Sequence, residues 1–147
     1  NASSSLPNLV LTSWMPQNDL LNDDRLTAFI THGGMGSTQE TAVRGKPGVF
    51  IPLFGDQPRN AGMMEYNGVG KVVDKLDLVN PDIVEAAVKD VLANETCVYI
   101  INIISDLHGT SRYRKNVRRI SKMLAKKPFK ARELMIKLAL FSLFLLL

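Results

Sequence analysis

Cysteine is almost missing: Cys97 stands alone in 147 residues. A disulfide framework and a cysteine-built zinc knuckle within the chain are thereby excluded. Aromatic residues are scarce at 7%, with one tryptophan, Trp14. There is no apolar run of the about 17–25 residues that a membrane span needs; the most apolar stretch, Leu138–Leu147, has ten. The first twenty residues hold no basic segment followed by an apolar one, so no signal peptide is visible. An initiator methionine is lacking too. Asn1 and the abrupt apolar end are expected to be cut ends, of a fragment or of a faulty gene model.

What remains is a globular mixture of single-domain size, 46% apolar and 22% charged, which excludes collagen-like, coiled-coil and fully disordered classes. The net charge of +4 conceals a division. Residues 1–110 carry 7 Lys+Arg against 13 Asp+Glu, net −6, and residues 111–147 carry 11 against 1, net +10. The body is acidic and the basic character lies in the C-terminal quarter, so a nucleic-acid-binding function for the whole chain is disfavoured.

Between Leu9 and Ala93 short apolar runs alternate with longer amphipathic ones, the signature of an α/β unit. Strands are expected at Leu9–Thr12, Ala28–Thr31, Gly48–Ile51 and Val69–Val73, each apolar on both faces as in a parallel sheet covered on both sides. Helices are expected at Ser37–Arg44, Gln57–Asn67 and Pro81–Ala93. Gly45 and Asn67-Gly68 supply helix stops, and Asn80 with Pro81 supplies a start. In residues 111–127, Tyr113, Val117, Ile120 and Leu124 recur at helical spacing opposite an Arg/Lys face. That segment reads as a surface helix packed by its apolar stripe, in preference to a contact with anionic lipid heads. Pro128 ends it, and a further helix is expected from about Ala131. Residues 97–110 (CVYIINIISDLHGT) fit none of this and read as a buried strand or an aggregation-prone segment.

The densest cluster of special residues is Thr31-His32-Gly33-Gly34-Met35-Gly36-Ser37-Thr38-Gln39-Glu40. A strand gives way to a glycine turn and then to a helix, which aims free N–H groups and a positive dipole end at one spot. Such a corner binds anions, phosphate above all. A dinucleotide fingerprint would need glycine where Gln39 stands, and no Walker lysine follows, so NAD and ATP are weak candidates. Ser37 and Glu40 also match a capping box, Ser at N-cap and Glu at N3, which would make both purely structural. His32 has a similar alternative as a hydrogen-bonded imidazole at a strand end.

Two more clusters flank this corner: Trp14-Met15-Pro16-Gln17 upstream, then Gly45-Lys46-Pro47 and Phe54-Gly55-Asp56-Gln57-Pro58-Arg59-Asn60 downstream. Trp-x-Pro-Gln, His-x-Gly, Ser-x-x-Glu, Gly-x-Pro and Asp-Gln, at these separations, resemble the signature of the UDP-glycosyltransferases. Asn18-Asp19-Leu20-Leu21 and Phe54–Gln57 look like the animal, glucuronosyltransferase branch.

The resemblance implies a Rossmann-like α/β fold, the C-terminal, donor-binding half of a two-domain GT-B glycosyltransferase. It implies transfer of a hexosyl group, glucuronosyl or glucosyl, from UDP to a small lipophilic acceptor with inversion. Trp14 would stack on uracil and Gln17 reach base or ribose. His32, Gly33, Gly34, Gly36 and Ser37 would hold the diphosphate, and Glu40 the ribose diol. Asp56, Gln57 and, with them, Asn60 would bind the transferred sugar. No metal or other cofactor is expected, and no Asp-x-Asp triplet occurs. The catalytic base of this family lies in an N-terminal domain, so the chain alone would bind donor without transferring it; the alternatives are a non-catalytic UDP-sugar-binding fragment or a membrane-attached interaction protein. Residues 1–96 would form the nucleotide-sugar domain and 111–137 its basic C-terminal helices, with 138–147 an apolar tail. Residues 97–110 interrupt the family pattern and are expected to be an insertion from an unspliced intron or mispredicted exon. The family also implies the endoplasmic reticulum membrane with this domain lumenal, a placement to which the sequons at Asn1 and Asn94 add slight support.

Overall fold

The computed structural model describes residues 7–93, 112–128 and 130–145. Residues 97–110, Cys97 and both sequons lie outside them. The order of elements is α1 (Gln17–Asn22), β1 (Phe29–Thr31), α2 (Met35–Arg44), β2 (Gly48–Phe50), α3 (Gln57–Tyr66), β3 (Gly70–Val72), a 3-10 turn (Lys75–Val79), α4 (Pro81–Leu92), α5 (Arg112–Ala125) and α6 (Ala131–Leu145). The strands form one parallel sheet in the order β1-β2-β3. Phe29, Ile30 and Thr31 face Gly48, Val49 and Phe50, which in turn face Gly70, Lys71 and Val72. A parallel sheet with crossover helices is the α/β architecture expected from the alternation of apolar runs, and it is of the Rossmann-like class that the resemblance implies.

Successive side chains of a strand point to opposite faces, and β2 shows what that does here. Val49 joins Val73, Ala87, Val91 and Tyr113 under α4, whereas Phe50 joins Ala61, Met64, Val69 and Val117 under α3 and α5. The sheet is thus covered on both faces. Full burial of each of the valine, phenylalanine and methionine side chains contributes about 1.5–3 kcal/mol. Tyr113 and Val117 lie one turn apart on α5 and enter different clusters, so this single helix closes both layers. It does so through the stripe read from sequence, with Ile120 and Leu124 half-buried and the basic residues except Arg114 exposed.

Local chemistry sets the helix ends. Gly45 adopts the left-handed conformation, φ 67, that closes α2. The Asn80 side chain accepts the Asp82 N–H at 3.0 Å, capping α4 just before Pro81. In α6 no residue of the described side chains is buried, and one continuous helix takes in Lys137 and most of the apolar stretch after it. No helix among the described residues is long and apolar enough to cross a membrane.

Leu9–Thr12 is not a strand. All four residues are exposed and no described strand pairs with them. Apolar content alone does not make a strand; its N–H and C=O groups need a neighbouring edge. Thr12 instead turns on itself, its Oγ1 donating to the Trp14 carbonyl at 2.6 Å.

Candidate functional site

The three strands end together at Thr31, Phe50 and Val72. The loops that follow the first two, together with the Trp14 segment, form the carboxyl edge of the sheet, where open α/β folds bind ligands. At the first loop Gly33 has φ 81, a conformation that L side chains resist. Gly34 serves as N-cap of α2 in extended geometry and offers no side-chain cap. The helix therefore starts at Met35, two residues before the expected Ser37, and Ser37 sits at its third position. The capping-box alternative fails for that reason. The carbonyls of Gly33 and Gly34 are taken by Thr38 Oγ1, at 3.2 and 2.9 Å. The first N–H groups of α2 point outward with no side chain capping them, and a Cβ at Gly36 would meet nothing within 4 Å. That is an open corner with the electropositive character of a helix start.

His32 is exposed, and its ring lies over Gly34: a Cβ there would come within 2.8 Å of Nε2. A side chain at position 34 would push the imidazole away from the corner. Glycine here leaves room for the ring to approach so closely.

Helix α1, too short to betray itself by periodicity, begins at the last residue of the upstream cluster, Gln17. Gln17 Nε2 donates to Ser37 Oγ at 3.2 Å and to Glu40 Oε2 at 2.8 Å. Farther along, the Arg44 guanidinium reaches back: Nη2 to Asn18 Oδ1 at 2.7 Å, Nε to the same oxygen at 3.2 Å, and Nη1 to Asn22 Oδ1 at 2.9 Å. With Leu21 fully buried, α1 is fastened along α2. The result is a cleft of about 420 Å³ lined by Trp14, Pro16, Gln17 and Glu40. Met15, Asn18 and Asp19 line it too; they belong to the motifs read in the sequence, which assigned them no binding role. Trp14 is 82% exposed, so its indole is not part of the core.

The downstream cluster is placed differently. Asp56 is exposed at the start of α3, where its Oδ2 accepts from Asn60 Nδ2 at 2.7 Å. Gln57 is buried, and its Oε1 accepts the N–H groups of Leu53 and Phe54 at 2.8 and 3.1 Å, so the side chain shapes the loop. Asn60, also buried, donates to the Gly33 carbonyl at 3.1 Å. It joins α3 to the glycine turn and holds Asp56, which makes it a positioning residue. Lys75 Nζ donates to the Leu53 carbonyl at 3.0 Å and ties the same loop to the 3-10 turn. No grouping of three or more His, Cys, Asp or Glu able to hold a metal ion occurs among the described residues.

A helix start without a side-chain cap, and beside it a cleft lined by an exposed indole and a carboxylate, at the carboxyl edge of a parallel sheet mark an α/β protein of the Rossmann-like class. The family model for UDP-glucoronosyl and UDP-glucosyl transferase matches residues 3–136, and the chain belongs to that family. It is 34% identical over 137 residues to ugt-48 of Caenorhabditis elegans, which carries a UDP-glucuronosyltransferase name, covering 92% of this chain and 23% of that protein. To UDP-glucuronosyltransferase 1A9 of Mus musculus it is 41% identical over 106 residues, 72% of this chain and 20% of the other. Among solved structures, the glycotransferase of kitacinnamycin matches with a TM-score of 0.63 and 28% identity, over 81% of this chain and 26% of that one. The chain thus spans about a fifth to a quarter of the relatives that it matches.

Proposed function

We propose that the chain is the donor-binding part of a UDP-glycosyltransferase and binds a UDP-sugar in the cleft beneath Trp14. The observation that supports it best is that Trp14 and Glu40, 26 positions apart in sequence, line one cleft beside the uncapped start of α2. Uracil stacks on the indole, a contact worth about 1–3 kcal/mol in other base-binding proteins. The diphosphate lies against the N–H groups of Gly36 and Ser37 and beside His32. Glu40 accepts hydrogen bonds from the ribose diol through Oε1, since Oε2 is engaged by Gln17. Gln17 keeps its own carbonyl oxygen for the nucleoside. Asp56 and the free amide nitrogen of Gln57 face the transferred sugar.

In this reading the sugar is glucuronosyl or glucosyl, the acceptor is a small lipophilic molecule and transfer inverts the anomeric carbon. The base and the acceptor pocket come from residues outside this chain, because His32 belongs to the diphosphate corner. Stabilisation of departing UDP falls to backbone donors and the helix dipole rather than to a cation. Residence at the endoplasmic reticulum membrane, with this domain lumenal, rests on the family alone.

Isothermal titration of the chain with UDP tests the assignment. Saturable 1:1 binding is expected, weakened roughly tenfold or more in Trp14→Ala and in Glu40→Ala, since about 1.4 kcal/mol corresponds to a factor of ten. Unchanged affinity in both variants would falsify the site.

A further inference from the structure

The C-terminal end of α2 meets α5 in a way that the donor site does not use. Gly45 is packed so closely on α5 that a Cβ there would lie 3.4 Å from Ser121 Cβ and 3.6 Å from Arg118 Cγ. Beside this contact is a pocket of about 150 Å³ lined by Arg44, Lys46, Arg114, Arg118, Lys122 and Asp24. Five cations meet one carboxylate. The space is large enough for a small anion such as a phosphate group.

Three of the five cations are held in place by neutral groups. Lys46 is buried and its Nζ donates to the Asp23 carbonyl at 2.7 Å. Arg114 Nη2 donates to the Thr27 carbonyl at 3.1 Å, and Arg44 is occupied by Asn18 and Asn22. Among the described residues none of the five forms an ion pair, and Arg118 and Lys122 make no side-chain hydrogen bond at all. Burial first, and then the charges of Arg114 and Arg118, push the Lys46 ammonium below its ordinary pKa, against the opposing pull of Asp24 and Asp23. An anion in the pocket would relieve that crowding.

One feature opposes this: a helix C-terminus carries about half a negative charge. Two of its carbonyls, however, are already taken. The Lys46 N–H bonds the Thr41 carbonyl at 3.2 Å, and Ser121 Oγ donates to that of Val43 at 2.6 Å. Half a charge does not offset an excess of four cations. The pocket also shares Arg118 and Lys122 with a shallower groove of about 610 Å³ along α5, whose walls are the methylene stems of Lys115, Arg119 and Lys126 and the side chain of Met123. A dianion suits the pocket, and an organic substituent suits the groove.

We propose that the α2–α5 pocket binds a phosphate monoester, with Lys46, Arg114, Arg118 and Lys122 around the phosphate and its organic group along α5. The site is distinct from the glycine turn, from which the ten residues of α2 separate it by about 15 Å.

The test titrates inorganic phosphate into the 147-residue chain at pH 7.5 with UDP at saturating concentration. A 1:1 heat that survives UDP, is unaltered in Trp14→Ala, and weakens at least about tenfold in the exposed double variant R118Q/K122Q is the expected result. Lowering the pH below about 6, where the second phosphate proton returns, weakens it as well. No saturable heat, or equal heat in the double variant, overturns the proposal. Two sources of the monoester are separated by sedimentation with phosphatidylcholine vesicles containing phosphatidic acid or, at equal charge, phosphatidylserine. Retention on phosphatidic acid alone, lost in the double variant, assigns a lipid headgroup; phosphate binding without retention assigns a soluble monoester. Equal retention on both vesicles without saturable phosphate heat is general charge attraction and overturns the proposal.

Discussion

Asn60 Nδ2 lies 3.1 Å from the Gly33 carbonyl oxygen, joining α3 to the glycine turn across 27 residues. The same nitrogen holds Asp56 Oδ2 at 2.7 Å. Replacing Asn60 by Ala removes both donors, although Thr38 Oγ1 still serves the carbonyl. A loss of about 1–2 kcal/mol in stability is expected by urea denaturation. Asn60→Asp is expected to cost more at neutral pH, because it sets a second carboxylate against Asp56 and a carbonyl oxygen. Its deficit narrows on acidification, when the new carboxyl takes up a proton and becomes a donor. Equal deficits for both variants at every pH would show that the hydrogen bonds are incidental.

Gly34 tests His32 without touching it. A methyl group at position 34 would collide with Nε2 and turn the ring aside. The backbone there is extended, with φ −60 and ψ 151, which alanine adopts freely. Gly34→Ala is therefore expected to keep its unfolding midpoint within about 0.5 kcal/mol while UDP affinity falls several-fold, to the level of His32→Ala. An affinity equal to that of the parent chain would remove His32 from the diphosphate corner.

The upstream loop titrates in acid. The Arg25 guanidinium, bonded to both oxygens of Asp23, holds that carboxyl down at about 2 from 3.8, with help from the Arg25 N–H. A depressed carboxylate binds fewer protons in the folded state than in the unfolded one. The interaction is complete above pH 3.8 and is lost as pH falls toward 2. Because the pair is exposed and screened, its effect is small. Thermal unfolding followed between pH 2 and 5 should show a shallower acid slope in Asp23→Asn than in the parent; parallel slopes would assign the acid response elsewhere.

The legible part of this fold was the part encoded locally. Short apolar runs marked β1, β2 and β3 to within a residue or two, and Gly45 and Asn80 marked helix ends through their own conformational preferences. What escaped depended on partners. Helix α1 has six residues and is held by Arg44, Gln17 and the burial of Leu21, none of which leaves a periodic trace. Leu9–Thr12 has the composition of a strand without a neighbouring edge. Ser37 misled as an N-cap because Gly34, lacking a side chain, takes that place. The motif likewise pointed to Gln57 and Asn60, but only the structure shows that most of their polar atoms are spent on the loop and the turn.

Helix α5 follows residues 97–110, which lie outside the described residues, and its burial decides whether it belongs to the domain energetically. Val117 is fully buried among Phe50, Ala61, Met64 and Val69, and Tyr113 hydroxyl donates to Asp90 Oδ2 at 2.8 Å on the other side of the sheet. Val117→Ala should lower the stability of the whole domain by about 1–3 kcal/mol, with a single transition shifting as one. Tyr113→Phe, which deletes one hydroxyl, should cost about 1 kcal/mol. Arg119→Gln, on the basic face, should stay within about 0.5 kcal/mol. Helix α5 separate from the domain would instead melt independently, and Val117→Ala would leave the main transition where it was. Tryptophan fluorescence at Trp14, far from Val117 in sequence, then reads the difference: a joint shift places α5 within the cooperative unit that carries the donor cleft.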